Sequence, residues 1–342
     1  MTGLLTVYGV TDQETRRDIC ASARAPVRRR DAPRTVDRRQ PHATPRDFPV
    51  TDDNSAAPDR PPTTGIDPTR PHSARIWNYW LGGMDNFRID RRVGDQFLAI
   101  FPGQADIARQ SRAFLGRVVR YLAGEAGIRQ FLDIGTGLPT ADNTHEVAQR
   151  VAPQSRIVYV DNDPLVLAHA RALLTSTPEG ATAYVHADMR EPGKILAEAA
   201  RTLDFAQPTA VLLLGILGHI PDEDDPQGIV ARLLSALSPG SFLVVNDGTN
   251  VLHGQTDEPA ENSARARAIA RFAAAGGIPY NLRTPERIAG FLTGLELVDP
   301  GVVSVSQWRA EATPFGPPAI DAFCGVGRKL GLRSVHPTRR PA

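Results

Sequence analysis

The chain has 342 residues, of which 41% are hydrophobic, and 39 Lys and Arg residues stand against 38 Asp and Glu residues, for a net charge of +1. This composition excludes a wholly disordered chain and a highly charged nucleic-acid coat protein. The two cysteines, Cys20 and Cys324, are too few for a disulfide framework or a Cys-based zinc site. No apolar run approaches the roughly 20 residues of a membrane-spanning helix. The N-terminus lacks a signal-peptide pattern, so we expect a cytoplasmic protein.

The N-terminal region differs from the rest in charge. Residues 1–50 contain 10 arginines and 6 acidic residues, and they show neither helical nor strand periodicity. We therefore predict a disordered leader over residues 1–70. One interpretation is an arm that binds nucleic acid or a membrane. The interpretation we favour is a native start near Val50, encoded by GTG in a GC-rich bacterial genome, which the preference for Arg over Lys also indicates.

Three helices are predicted after the leader. Ser73 is expected to cap the first, which ends at Gly82, and the next two cover Arg91–Phe101 and Ile107–Ala123. The apolar residues of the third recur at helical spacing. We expect these helices to form an N-terminal lid, residues 71–125.

Short apolar runs then alternate with amphipathic stretches, which predicts a parallel sheet covered by helices on both faces. The predicted strands are Phe131–Ile134, Ile157–Val160, Ala183–His186, Val211–Leu217 and Phe242–Val245. The predicted helices are Thr140–Val151, Pro164–Leu174, Pro192–Leu203, Pro226–Leu237 and Pro259–Ala275. Two further strands, Leu295–Val305 and Ala319–Gly327, have no helix between them. We expect one α/β domain over residues 126–332 and a disordered tail over 333–342.

A glycine loop follows the first predicted strand. Gly135 and Gly137 allow the backbone to approach a ligand where a Cβ would clash. The dinucleotide pattern G-x-G-x-x-G is not completed, because Thr140 stands at its third glycine. Asp133, directly before the loop, suits a cationic amino-acid ammonium, as in S-adenosylmethionine (SAM).

Acidic residues also follow the second and third strands. Asp161 ends the second strand and is placed to accept hydrogen bonds from both ribose hydroxyls, a role that NAD and SAM sites share. After the third strand, Asp188 is placed to accept from an adenine amino group, and Met189 to lie on the ring. Each acid alone also suits a turn or a helix cap. Three acids at three successive strand ends favour one ligand site, because ligands of open α/β sheets bind at those ends.

From about Arg70 to about Lys329, the sequence resembles the bacterial SAM-dependent methyltransferases of largely unassigned substrate. The matching blocks are residues 74–87 (ARIWNYWLGGMDNF), 131–140 with 143–147, 158–164 (VYVDNDP), 219–226 (HIPDEDDP) and 325–328 (GVGR). The resemblance implies a Rossmann-like class I fold, with a seven-stranded, mostly parallel sheet, a C-terminal antiparallel hairpin and N-terminal lid helices.

The resemblance also implies SAM as the cofactor and assigns its contacts. The assigned contacts are Asp133, Gly135, Gly137 and Thr140 of the loop, Asp161 with Asn162 beside it, Asp188 with Met189, and Gly215 with Ile216 under the sulfonium end. Arg75, Tyr79 and Asn86, with Asp85, are expected to lie over the methionine carboxylate, Arg75 in a bidentate contact. The alternative for this last group is a structural turn.

His219, just after the fourth strand, is the candidate general base, although a base is needed only if the acceptor loses a proton. The acids 222–225 invite a metal interpretation, but acids before Pro226 suit a helix N-terminus with Asp225 as its cap. We therefore expect no metal site.

The folded part is mildly acidic and lacks the motifs of nucleobase methylation, so we expect a small-molecule acceptor rather than a nucleic acid. Two alternatives remain open at the level of sequence. One is a non-catalytic SAM sensor or interaction module, and the other is an NAD-dependent oxidoreductase. The sequence leaves the oligomeric state undetermined.

Overall fold

The computed structural model describes residues 66–173, 175–252, 263–311 and 316–331. The predicted tail lies outside these residues, and so does the leader up to residue 65, with the expected start at Val50. No helix in the described ranges is long and apolar enough to cross a membrane.

A central sheet carries the fold, and its parallel part agrees with the five predicted strands. These strands are β1 (Gln130–Ile134), β2 (Arg156–Asp161), β3 (Ala181–His186), β4 (Thr209–Leu214) and β5 (Phe242–Gly248). They lie side by side in the order β3-β2-β1-β4-β5, with every pair parallel. The order reverses direction between β1 and β4, and this reversal opens the crevice in which α/β proteins bind ligands.

Apolar side chains cover both faces of the sheet. Phe131 of β1 belongs to one core with Phe114 and Trp308, whereas its neighbour Leu132 belongs to a second core with Ile195 on the other face. Since successive residues of a strand point to opposite faces, a strand buried on both sides must be apolar throughout. This explains the unbroken apolar runs that mark the strands in the sequence.

Helices fill both faces between the strands. They are α4 (Thr144–Val151), α5 (Pro164–Leu173), α6 (Pro192–Ala199), α7 (Pro226–Ser235), α8 (Ala264–Ala274) and α9 (Pro285–Gly290). Asp225 caps α7 as predicted, because its side chain accepts from the Gly228 amide and Pro226 opens the helix. α9 has only six residues, too few for a recognisable helical period, and the sequence pattern missed it.

The antiparallel edge differs in detail from the predicted hairpin. β8 (Ala322–Arg328) pairs with β5, and two short strands, β6 (Glu296–Leu297) and β7 (Val303–Ser304), pair with β8. The predicted strand Leu295–Val305 is therefore interrupted, because a turn that includes Gly301 at φ +83° separates its two halves. The described sheet has eight strands instead of seven.

Three helices precede the sheet, as predicted. They are α1 (Ser73–Trp80), α2 (Arg88–Ile100) and α3 (Gln104–Gly124). The cap of α1 is His72 rather than Ser73, since the imidazole accepts from the Ala74 amide. Ile66 packs beside Leu138, so residues 66–70 belong to the fold and not to the leader.

Candidate active site

A cavity of about 470 Å³ lies at the carboxyl ends of the parallel strands. Its floor is formed by the residues that follow β1, β2, β3 and β4, and by the end of β5. Its walls are the inner faces of α1, α2, α3 and α8. The volume lies in the range of small-molecule and cofactor sites.

The glycine loop forms one end of the cavity, which we call the loop end. Gly135 has φ +74°, and a Cβ on it would lie 2.7 Å from the Ile216 side chain, so the close contact between the two segments requires glycine. Gly137 has φ +67°, and a Cβ there would meet no atom within 4 Å. The space over Gly137 therefore belongs to the cavity, where the backbone is open to a ligand.

Asp133 lies at the floor of the loop end, at the position where β1 meets the loop. Thr144 Oγ1 donates to Asp133 Oδ2 at 2.6 Å. Burial raises the pKa of the Asp133 carboxyl to about 6, against the opposing effects of the Thr144 hydrogen bond and the nearby Arg112 guanidinium. A carboxyl in this state gains stability from a cationic partner.

Asp161 joins the end of β2 to the glycine loop. Its Oδ2 accepts from the Gly137 amide at 2.9 Å, and its Oδ1 accepts from the Asp163 amide at 2.9 Å. The residue is 8% exposed and faces the cavity. Burial raises its pKa, although the two amide hydrogen bonds oppose this. Each carboxylate oxygen keeps a second lone pair with which to accept from a ligand hydroxyl.

The residues after β2 and β3 form the adjoining wall. Asn162 Nδ2 donates to Asp188 Oδ2 at 3.3 Å, and the Arg190 amide donates to Asp188 Oδ1 at 2.9 Å. Met189 is buried, and its side chain lines the cavity next to these polar groups. This wall thus combines hydrogen-bonding side chains with an apolar surface.

The remaining predicted loop residues also line the cavity. Thr140 donates through its amide to Asn143 Oδ1 at 3.1 Å, which fixes the end of the glycine loop to the start of α4. Gly215 has φ +80° and leads the chain out of β4, and Ile216 closes the floor against Gly135. The structure thus brings together ten predicted contacts: Asp133, Gly135, Gly137, Thr140, Asp161, Asn162, Asp188, Met189, Gly215 and Ile216.

Three predicted contacts on and near α1 do not line the cavity. Arg75 is 3% exposed; its Nε lies 3.0 Å from Asp90 Oδ2, and its Nη2 donates to the carbonyls of Asp67 and Arg70. The guanidinium thus connects residues 67–70 and α1 to α2. It is therefore not placed to make the bidentate carboxylate contact that the resemblance implied.

Tyr79 and Asn86 do not line the cavity either. Tyr79 donates to Asp95 at 2.6 Å, and Asn86 donates to Asn78 at 3.0 Å. Asp85 lies 3.6 Å from His169 on the outer side of the same loop. These contacts agree with the alternative interpretation, a structural turn after α1.

Arg112 of α3, which the sequence analysis did not single out, lies beside the end of the glycine loop. Its Nε and Nη2 donate to the Ala141 carbonyl at 3.1 and 2.8 Å, and Nη2 also donates to Asn143 Oδ1 at 3.0 Å. The side chain lines the loop end of the cavity. Nothing in the sequence distinguishes Arg112 from the chain's other arginines, because its placement depends on the packing of α3 against α4.

His219 is the last residue of a short 3-10 turn, Leu217–His219, that follows β4, and it lines the cavity. Its Nδ1 lies 3.0 Å from the Pro279 carbonyl. A carbonyl can only accept, so Nδ1 carries the proton and Nε2 is left as an acceptor. Burial lowers the pKa of His219 below its usual 6.5, which keeps the ring neutral at pH 7.

One arginine holds the segment that carries His219. Arg283 donates to the carbonyls of Leu217 and Ile220 at 2.7 and 2.6 Å, and its guanidinium also pairs with Asp222 at 3.0 Å. The two carbonyls flank His219 in the chain. Arg283 thus fixes the backbone on both sides of the imidazole.

The acidic run 222–225 has partners that explain it without a metal. Asp222 pairs with Arg283 and Arg287, Asp224 pairs with Arg190 at 3.0 Å, and Asp225 is the α7 cap. Among the described residues, no group of His, Cys, Asp and Glu side chains is arranged to hold a metal ion.

The end of the cavity opposite the glycine loop is lined mainly by apolar side chains, and we call it the helix end. Its walls come from α1, α2 and α8, and the side chains that form them are Trp77, Trp80, Val93, Phe97, Ile269 and Phe272. Trp80 packs against Phe97 with ring centroids 5.1 Å apart. Such a wall suits a flat apolar ligand. The cavity therefore offers one polar end and one aromatic end.

Comparisons with known proteins identify the family of the chain. The family model described as S-adenosyl methyltransferase matches residues 59–330. A DUF574 family protein from Streptomyces avermitilis shares 44% identity over 77% of this chain and 99% of its own, with a TM-score of 0.71. A candidate methyltransferase from Thermobifida fusca shares 39% identity over 77% of this chain and 96% of its own, with a TM-score of 0.68.

No curated protein matches the chain. The family model nevertheless spans nearly all of the described fold, including the glycine loop, the strand-end acids and His219. This match selects SAM over the NAD alternative and an enzyme over the non-catalytic alternative. The chain belongs to the S-adenosyl methyltransferase family and is a SAM-dependent methyltransferase with a class I fold.

Proposed function

We propose that the protein methylates a small molecule whose body lies at the helix end of the cavity, with His219 as the general base. The observation that carries this proposal is the division of one cavity into a polar end and an aromatic end, with an imidazole on its lining. A cofactor and an acceptor would lie end to end in such a space. The proposal extends the family assignment, which leaves the acceptor open.

The residues at the loop end suit SAM. The open space over Gly137 accommodates a ligand against the backbone, and the raised pKa of Asp133 indicates a carboxyl in need of a positive charge. We assign Asp133 to the ammonium, Arg112 to the methionine carboxylate and Asp161 to the ribose hydroxyls. Asn162, Asp188 and Met189 would hold the adenine. When bound, SAM supplies a methyl group on a positively charged sulfur.

His219 would remove the proton that an O–H or N–H acceptor loses. Its Nε2 is the free acceptor atom, because Nδ1 donates to Pro279. The lowered pKa keeps Nε2 unprotonated at pH 7, so the base is ready without a pH change. The walls from α1, α2 and α8 would hold the acceptor in line with the methyl donor, and positioning of this kind supplies up to about 7–11 kcal/mol in favourable cases.

A nucleic-acid acceptor is disfavoured by charge. Residues 51–342 hold 29 basic and 32 acidic residues, that is, 39 minus 10 and 38 minus 6. A body with a slight negative charge repels a phosphate backbone. The aromatic walls of the helix end offer no basic groove for a strand. We also propose a cytoplasmic location, which suits a free, buried Cys324.

An extract assay tests the proposal. The purified full-length chain would be incubated with methyl-labelled SAM and, separately, with the small-molecule, nucleic-acid and protein fractions of a bacterial lysate. We expect label and S-adenosylhomocysteine only with the small-molecule fraction, and loss of both in the Asp161→Asn variant. A variant of the exposed Asp106, Asp106→Asn, serves as the matched control. Label in the nucleic-acid or protein fraction would overturn the proposal.

A further inference from the structure

The helix end of the cavity contains two polar side chains whose hydrogen-bonding needs the protein does not meet. One is Gln104, the first residue of α3, and the other is Arg265, in the first turn of α8. Both are 4% exposed and both line the cavity. An unsatisfied buried polar group requires an explanation, and for a group that lines a cavity a ligand can complete the bonding.

Gln104 lies in an otherwise apolar stretch of wall. It is eight residues before Arg112 on α3, so it lies about 12 Å along the helix axis from the loop end. Its Oε1 has no hydrogen-bond partner. A half-turn of the amide exchanges Oε1 and Nε2, so this side chain can accept from a ligand or donate to one. The cofactor contacts assigned above lie at the other end.

Arg265 brings a buried positive charge to the same end. Its Nη1 donates to the carbonyls of Thr249 and Asp321, whereas its Nε has no partner. Within the described residues this guanidinium forms no salt bridge, although Asp321 and Asp247 are near enough to attract its charge. A buried arginine that is hydrogen-bonded only to neutral carbonyls gains more from a directly bound anion than from carboxylates at a distance.

The carboxylates near Arg265 are bound by other donors. Asp247 accepts from the Tyr280 hydroxyl, the Gly248 amide and Arg283. Asp321 Oδ1 accepts from the Thr249 hydroxyl and the Leu252 amide. Both carboxylates attract the Arg265 charge without a salt bridge to it, so the guanidinium can still bind an anion directly.

Both residues neighbour Phe101. The Gln104 backbone amide donates to the Phe101 carbonyl at 3.3 Å, and the Arg265 guanidinium carbon lies 5.7 Å from the centroid of the Phe101 ring. Phe101 thus contacts both residues, and both side chains line the same cavity. A carboxylate can accept from both a guanidinium and an amide NH₂.

We propose that the methyl acceptor is a planar, largely apolar carboxylic acid whose carboxylate is bound by Arg265 and Gln104. This inference rests on the proposed function, because it places the acceptor at the helix end of the cavity. The aromatic walls hold the ring system, and the Arg265–Gln104 pair selects the acid over neutral molecules of the same shape. An anion bound at this position would lower the desolvation cost of the buried guanidinium.

Calorimetric titration of two probes tests the proposal without turnover. 1-Naphthoate and its methyl ester would be titrated into the full-length protein saturated with S-adenosylhomocysteine. We expect the acid to bind at least roughly 10-fold more tightly than the ester, as for a charge-assisted hydrogen bond. The same affinity for both, or no binding of either, overturns the proposal.

Two variants test whether Arg265 and Gln104 cause the preference for the acid over the ester. Arg265→Met should abolish the preference for the acid, whereas Arg271→Met, the same charge change on the exposed side of α8, should leave it intact. If Arg265→Met fails to fold, Gln104→Glu carries the test, because a second carboxylate at this end weakens binding of the acid more than binding of the ester. Equal losses for both probes in Gln104→Glu count against the proposal.

The outcome is separable from that of the proposed function. If the acid binds as expected and no small molecule is methylated, the catalytic proposal fails and the binding site remains. If neutral small molecules are methylated and the acid shows no preference, the carboxylate proposal fails and the small-molecule reaction remains.

Discussion

At the scale of one residue, the buried Asp133 carboxyl lowers the folding stability of the cofactor-free protein. The carboxyl is fully buried, and burial raises its pKa from 3.8 to about 6. Between pH 3.8 and about pH 6 the folded protein therefore holds a proton that the unfolded chain has lost, so stability falls as the pH rises through this range. Above pH 6 the whole penalty, on the order of 1–3 kcal/mol, is present in the cofactor-free protein. A bound ammonium would offset it.

Replacement of this carboxyl separates stability from binding. We expect Asp133→Asn to raise the melting temperature of the cofactor-free protein at pH 7.5, and to leave it unchanged below pH 3.8, where Asp133 is protonated in both states. The same variant should bind SAM at least roughly 10-fold more weakly, because a charged partner of the ammonium is lost. Thermal melts at both pH values and calorimetry are the measurements. A lower melting temperature at pH 7.5 would contradict the assigned pKa.

His219 makes a second prediction at this scale. As the pH falls through its pKa, which lies below the usual 6.5, Nε2 becomes protonated and cannot act as a base. We expect kcat/KM for the acceptor found in the extract assay to be level near pH 7 and to fall in acid. His219→Gln should lower kcat by about 10²–10⁴-fold and remove this acid limb. An unchanged pH profile in the variant would exclude His219 as the base.

At the scale of elements, the start of α4 organises the loop end of the cavity. Asn143 and Glu146 form a capping box, and Asn143 Oδ1 also accepts from the Thr140 amide and from Arg112. One side chain thus ends the glycine loop, begins a helix and positions an arginine of α3. The cap links the local stability of α4 to the geometry of the cofactor site.

The loss of this cap should affect both properties. We expect Asn143→Ala to destabilise the fold by about 1–2 kcal/mol and to weaken SAM binding, because the glycine loop and Arg112 lose their anchor. Asp225→Ala removes the cap of α7, away from the cavity, and serves as the control. Denaturant unfolding should show a loss of stability in both variants. Calorimetry should show weaker SAM binding only in Asn143→Ala, and equal affinities would refute the link.

The sequence predicted the elements that depend on local pattern. The strands are recognisable as apolar runs, and the loop after β1 is recognisable from Gly135, Gly137 and the adjacent acid. Each of these patterns is contained within a few consecutive residues, so the sequence alone reveals it. Arg75 and Arg112 could not be assigned in this way. Arg75 forms an ion pair with Asp90, which is 15 residues later in the chain, and Arg112 reaches the loop because α3 packs on α4. Which arginine faces the cavity is therefore a property of tertiary structure.

At the scale of the whole molecule, the cavity is enclosed between the sheet and the first helices. His72, at the start of α1, lies 3.1 Å from Asp163, which follows β2 and whose amide donates to Asp161. The start of the lid thus lies against the residues that hold the proposed ribose site. Ordering of one side should order the other.

Hydrogen–deuterium exchange checks this connection. We expect SAM to slow amide exchange in residues 133–140 and, at a distance along the chain, in α1. Exchange in α6 and α7 should not change, because they pack together beneath the opposite face of the sheet. Protection confined to residues 133–140, with α1 unaffected, would show that the lid moves independently of the cofactor.

The division of the cavity also bears on how such enzymes diversify. The loop end is built from residues between 133 and 216 at the ends of the strands, together with Arg112 of α3, whereas the helix end is built largely from α1, α2 and α8. After a gene duplication, substitutions on these helices would change the acceptor while the cofactor site stays as it is. A single ancestral cofactor site could thus give rise to paralogues with different metabolites as substrates.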